Sequence, residues 1–136
     1  MKKHTMIAAA ILTAAAYTGA MAQALSTSEH KVNKAMVNLV IALRSENQGL
    51  TESAIKQMAQ IGILYPGCTV GEAREVVDSL MVHAGTPSVR YKAYLASNVF
   101  DNPAWFAGSV NVYSEKEFFE SVETQLHQRI YSSRTD

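Results

Sequence analysis

The chain has 136 residues and a mass of 14.8 kDa, with 48% apolar and 18% charged residues and twelve basic side chains against twelve acidic. Seven glycines and three prolines, without a glycine period, exclude a collagenous or low-complexity chain, and the length fits one domain. A single cysteine, Cys68, excludes an internal disulfide framework, a thiolate-rich zinc site and a CxxCH haem attachment.

The first 22 residues read as an export leader. Lys2 and Lys3 form a short positive start, Met6 to Ala16 is an uncharged apolar run, and Ala20-Met21-Ala22 fits the A-x-A pattern of signal peptidase. Cleavage after Ala22 leaves Gln23 as the mature N-terminus; an uncleaved anchor is the alternative. The apolar run is too short to span roughly 30 Å of hydrocarbon unaided. The expected mature domain, 23–136, carries ten basic and twelve acidic residues, a formal charge of −2. That balance offers no basic face for nucleic acid. No later segment is apolar enough for stable membrane insertion, so the expected location is the bacterial periplasm or the medium. An unpaired Cys68 there is either buried or available to another chain; burial is the favoured reading, although Pro66-Gly67 places it in a turn.

Helical signals dominate the mature chain. Ser26-Thr27-Ser28-Glu29 is a capping box, in which hydroxyl and carboxylate each take a free backbone N–H. Behind it Val32, Met36, Leu39, Val40 and Leu43 recur at helical spacing, and Val37 and Ile41 widen the stripe, predicting a helix packed on more than one side. Asn47-Gln48-Gly49 reads as a turn. Leu50, Ala54, Ile55, Met58 and Ile61 predict a second helix that stops at Gly62. A capping box at Thr69-Val70-Gly71-Glu72 opens a third, with Ala73, Val76, Val77, Leu80, Met81 and Ala84 inward and Arg74, Glu75, Asp78 and Ser79 on a solvated face. Thr86-Pro87 reads as a cap followed by proline at the first helical position, with Val89, Ala93, Ala96 and Val99 or Phe100 inward. Asp101-Asn102-Pro103 predicts a single turn holding Trp105 and Phe106, and Gly108 to Tyr113 an extended loop. Ser114-Glu115-Lys116-Glu117 caps the last helix, about 114–131, lined by Phe118, Phe119, Val122, Leu126 and Ile130. The expected fold is all-α, an antiparallel stack of about five helices.

Leu50 to Lys56 and Val89 to Leu95 share a pattern 39 residues apart: a turn, an apolar residue, a polar residue, then Ala54 or Ala93 four positions on. Alanine lets two helices approach closely at their crossing. A period near 40 is that of stacked helical pairs, here about 26–65 and 69–107. In Thr86-Pro87-Ser88-Val89-Arg90-Tyr91-Lys92-Ala93 the chain resembles the HEAT family of α-helical repeats at the start of the family's second helix; Gln48 to Ala54 is a poorer match, with Leu50 for the valine and Thr51 for the arginine. The resemblance covers residues 32–100, about two units, and implies a short α-solenoid whose role is scaffolding through protein–protein contact, without catalytic residues. Because solenoids need about three units, the final helix with Trp105 and Phe106 is then expected to act as a cap.

No arrangement of chemical groups points to catalysis. His30, His83 and His127 fall on three different predicted helices, with no HxxxH or HExxH spacing. No GxSxG motif or glycine-rich phosphate loop occurs, and Cys68 has no neighbouring base. Glu72, Glu75 and Asp78 form an acidic row that reads as a solvated face rather than a cation site. The most suggestive group is aromatic and basic: Arg90, Tyr91, Lys92 and Tyr94, with Trp105 and Phe106 nearby in the chain; Arg, Tyr and Trp are favoured at protein interfaces. Closure of the core by Tyr94, Trp105 and Phe106 is the competing reading, with Arg90 and Tyr91 expected to be exposed. The sequence therefore points to a non-enzymatic, cofactor-free exported protein that binds another protein. A carrier with an apolar pocket among Met36, Met58 and Met81 is the alternative.

Overall fold

Among residues 29–68, 71–112 and 114–134, which the computed structural model describes, every regular element is helical and no strand occurs. The chain divides into two units, Met1–Lys34 and Ala35–Asp136. Of the first, residues 29–34 are described, and they are helical; the leader and Ser26 to Ser28 of the first capping box lie outside the described residues.

The second unit opens with helical residues 35–43 (α1), whose Met36, Val40 and Leu43 are buried. Val37 and Ile41 do not widen this stripe: they are 62% and 66% exposed. Each follows a buried residue by one position, a turn of about 100° around the helix, and only one face of α1 meets the core.

Helix α2 spans Gln48–Leu64. The predicted turn at Asn47 is its start, because the Asn47 side chain accepts the N–H of Leu50 at 3.1 Å. The helix also continues through Gly62 instead of stopping there. Gly62 is buried, and tertiary support outweighs the roughly 1 kcal/mol propensity cost of an internal glycine. A single 3₁₀ turn, Pro66–Cys68, follows; the Cys68 side chain lies outside the described residues.

Helix α3 spans Glu72–His83 and begins after Gly71, whose φ of +67° suits glycine. Glu72 is thus the first helical residue, so the capping box predicted from Thr69 is out of register; Thr69 itself lies outside the described residues. Ala73 and Val77 are buried, whereas Val76, Leu80, Met81 and Ala84 are only half-buried.

Helix α4, Pro87–Asp101, is the hub of the unit, touching α2, α3 and both C-terminal elements. It buries Val89, Ala93, Leu95, Ala96, Ser97 and Val99. A 3₁₀ helix then runs Pro103–Ser109, longer than the predicted single turn. Phe106 and Ser109, three apart and so on the same side of a 3₁₀ helix, are both fully buried. The predicted extended stretch after Gly108 is a continuation of this helix and a turn, and Gln60 Nε2 donates to the carbonyls of Val110 and Val112 at 3.3 and 3.1 Å. Tyr113 lies outside the described residues.

Helix α5 spans Glu115–Ser132, and Ser114 Oγ accepts the Glu117 N–H at 3.4 Å as the capping pattern predicts. Phe118, Phe119, Val122 and Leu126 are buried; Ile130, predicted inward, is exposed because the helix has passed the core by its last turn. The second unit is an all-α stack of helices around Ile55, Met58, Val77, Val99, Phe106, Phe118 and Val122.

Candidate functional site

The outer face of α4 carries Tyr91 and Tyr94, one turn apart, 44% and 40% exposed. Their rings stack with centroids 6.2 Å apart and planes 23° from parallel. The Tyr91 hydroxyl donates to Glu123 Oε1 at 2.6 Å, linking α4 to α5. That hydrogen bond, aided by burial and by the charge of Glu123, pushes the phenol up to about 12.

Beside the pair an open cleft of about 250 Å³ separates α4 from α5. Leu95 and Phe119 supply apolar wall, Tyr91 and Ser88 one edge, and Glu115, Glu120, Glu123 and Lys116 the other. Lys92, also in the cleft, donates to Glu52 Oε2 at 2.9 Å and to Glu115 Oε1 at 2.6 Å. Its ammonium lies 5.4 Å from the Phe119 ring centre. Glu52 Oε1 further accepts from Ser88 Oγ at 2.6 Å and Gln48 Nε2 at 3.0 Å. Burial pushes the Glu52 carboxyl up, but donors Ser88, Gln48 and Lys92 together outweigh it and hold the group down at about 2. Burial likewise pushes Lys92 down, and the hydrogen bonds to Glu115 and Glu52 override it, leaving the ammonium above its ordinary value. Sequence reasoning missed this network. Lys92 stands out in the sequence as part of the basic aromatic group, but nothing there points to Glu52, a carboxylate next to Thr51 at the edge of the buried stripe of α2.

The four predicted partner-binding residues do not form one patch. Tyr91 and Tyr94 belong together, as their spacing predicts. Arg90 turns to α3, donating through Nη1 to the Ala84 carbonyl at 2.6 Å, and is half-buried rather than exposed. There it neutralises carbonyl charge at a helix C-terminus. Trp105 has the Arg129 guanidinium 6.0 Å from its ring and shares a different cleft with Arg129, Ile130, Ser132 and Ser133 at the end of α5.

On the predicted solvated face of α3, Glu75 and Ser79 are exposed as expected, but Arg74 and Asp78 are half-buried. Arg74 Nε donates to both Asp78 oxygens at 3.0 and 3.1 Å, Nη1 to Asp101 at 2.9 Å and Nη2 to Ser97 at 3.2 Å. Glu72 accepts from Arg44 at 2.8 Å. Two of the three acids of the row, Glu72 and Asp78, are therefore paired with arginines, and among the described residues no three His, Cys, Asp or Glu converge to hold a metal ion. His30, His83 and His127 are exposed. Met36 and Met58 are buried, Met81 is half-buried, and none of them lines the α4–α5 cleft or the Trp105 cleft. No helix among the described residues is long and apolar enough to cross a membrane.

No protein-family model matches the chain, and no curated protein or solved structure is similar to it.

Proposed function

We propose that the chain is an exported, non-enzymatic helical-repeat protein of the bacterial envelope that binds another protein, as an adaptor or accessory subunit, through the outer face of α4. The observation that carries this reading is the exposed, stacked Tyr91–Tyr94 pair, of which Tyr91 lines a cleft walled by Leu95 and Phe119 and is held in place by Glu123. Tyrosine brings large contact area with little side-chain entropy to lose, which is why it concentrates at binding hot spots. Export rests on Lys2, Lys3, the apolar run and Ala20-Met21-Ala22. A repeat architecture is supported by Ala54 and Ala93, 39 positions apart and both buried, on α2 and α4, which pack together as the second helices of two stacked pairs would. Leu50 is exposed where its counterpart Val89 is buried, so the two units have diverged at that position.

The test is capture of partners from an envelope fraction, identified by mass spectrometry, with wild type beside Tyr94→Ala. A reproducible protein partner lost in the variant supports the reading. Recovery of only a bound small molecule overturns it in favour of a carrier. Terminal sequencing of the envelope-associated protein checks export separately, with Gln23 as the expected first residue.

A further inference from the structure

We infer that the α4–α5 cleft takes a basic amphipathic segment of the partner protein, setting apolar side chains against Leu95 and Phe119 and an arginine or lysine against Glu123 and the tyrosine rings. The inference rests on the docking face proposed above and names the chemistry of what docks there. The cleft leaves negative charge unanswered.

Three carboxylates line the cleft, Glu115, Glu120 and Glu123, and Glu52 lies behind Lys92. Among the described residues that line the cleft, two are cations, Lys92 and Lys116. Lys92 is committed to Glu52 and Glu115 at hydrogen-bond distance. Lys116 meets Glu120 at 3.7 Å with side chains 82% and 59% exposed, a geometry that water and salt screen heavily. Glu123 has no cationic partner among the described residues. Tyr91 holds its Oε1 and so fixes the direction of the carboxylate, while Oε2 accepts no hydrogen bond among them. A carboxylate oriented beside two stacked rings suits a planar guanidinium, which can lie on an aromatic face and hydrogen-bond edgewise to the acid. An acidic segment would meet like charge in the same place, and a purely apolar one would bury Glu123 without compensation.

The purified chain is titrated with two six-residue peptides, acetyl-LRLLRL-amide and acetyl-LELLEL-amide, and followed by backbone amide shifts in NMR. The arginine peptide is expected to shift the amides of Tyr91, Leu95, Phe119 and Glu123 saturably, and the glutamate peptide to leave them in place. Glu123→Gln, which keeps an acceptor for Tyr91, should weaken the arginine peptide about tenfold, and added salt should weaken wild-type binding. Equal binding of the two peptides, absence of arginine-peptide binding, shifts confined to another face, or unchanged affinity in Glu123→Gln each overturns the inference. Partner capture separates this failure from failure of the docking face. A partner lost with Tyr94→Ala but retained by Glu123→Gln overturns cation recognition alone; a partner retained by Tyr94→Ala overturns the face itself.

Discussion

Lys92 Nζ lies 2.9 Å from Glu52 Oε2, tying the middle of α4 to the first turns of α2 with side chains only 19% and 12% exposed. Glu115 completes the arrangement from α5, so one ammonium holds three helices in register. Removing the cation leaves two carboxylates close together in a poorly solvated place. Lys92→Met is therefore expected to destabilise the fold by about 2–3 kcal/mol, somewhat under the cost of breaking a fully buried pair. Adding Glu52→Gln should recover part of that loss, because it removes the stranded charge. Urea unfolding followed by far-ultraviolet circular dichroism measures both; an Lys92→Met loss under about 0.5 kcal/mol would mean that the pair behaves as an exposed one.

Acid should release the same network. The Glu52 carboxyl titrates at about 2 in the fold against 4.5 without it. Its contribution is complete above pH 4.5 and is lost as pH falls from 4.5 towards 2, a change of up to about 3 kcal/mol. Tyr91 and Lys92 act at the other end. The phenol, pushed up to about 12 from 10.0, stabilises fully below pH 10 and progressively less as pH rises towards 12, and the raised ammonium is likewise effective below 10.5 and lost above. Urea midpoints across pH should fall at both ends. Glu52→Gln should flatten the acid limb and also reduce the alkaline one, because Glu52 is one of the two acceptors that raise Lys92, whereas Tyr91→Phe should reduce the alkaline slope and leave the acid limb in place.

The parts of this fold legible in the sequence are those set within one turn of chain. Ser114 caps α5, Pro87 starts α4, and Tyr91 and Tyr94 share a face because three residues nearly complete a helical turn. Local punctuation misled where tertiary packing overrode it. Gly62 is carried inside α2 and buried, and residues 108–111 lie in a 3₁₀ helix and turn because Ser109 is buried beside α5, 2.7 Å from Ser121 Oγ. The charge network was out of reach for a different reason. Its members are 36 and 40 residues apart, and no periodicity relates Ser88 or Lys92 to Glu52. Arg90 shows the limit of reading a cluster from adjacency, since each step along a helix turns the next side chain about 100° away.

Close approach of α2 and α4 is the next quantity to test. Both contribute a buried alanine, Ala54 and Ala93, and Ala93 is fully enclosed. Three additional carbons at position 93 have no free volume to enter and must displace buried neighbours of α4. Ala93→Leu is expected to cost about 1–3 kcal/mol, whereas Tyr94→Leu on the outer face should stay within about 0.5 kcal/mol. Thermal unfolding of the two variants checks the contrast; equal effects would show that the surroundings of residue 93 yield to the larger side chain.

Thr86 offers a change of opposite sign. It occupies the N-cap position of α4 with extended backbone (φ −108°, ψ 138°), yet its side chain caps nothing. Its Oγ1 is buried and has no hydrogen-bond partner among the described residues. The backbone carbonyl already accepts the Arg90 N–H at 3.2 Å, so the hydroxyl is not required to start the helix. A buried donor and acceptor without a partner costs about 1–3 kcal/mol relative to an apolar group of the same shape. Valine keeps that shape and favours extended backbone. Thr86→Val should therefore stabilise the protein by about 0.5–1.5 kcal/mol. Ser114→Ala, which deletes a cap that does accept a hydrogen bond, should lose about 0.5–1 kcal/mol. Measured together by urea unfolding, the two hydroxyls should move in opposite directions. A loss in Thr86→Val comparable to that in Ser114→Ala would show instead that Thr86 holds an ordered water and that its burial is compensated.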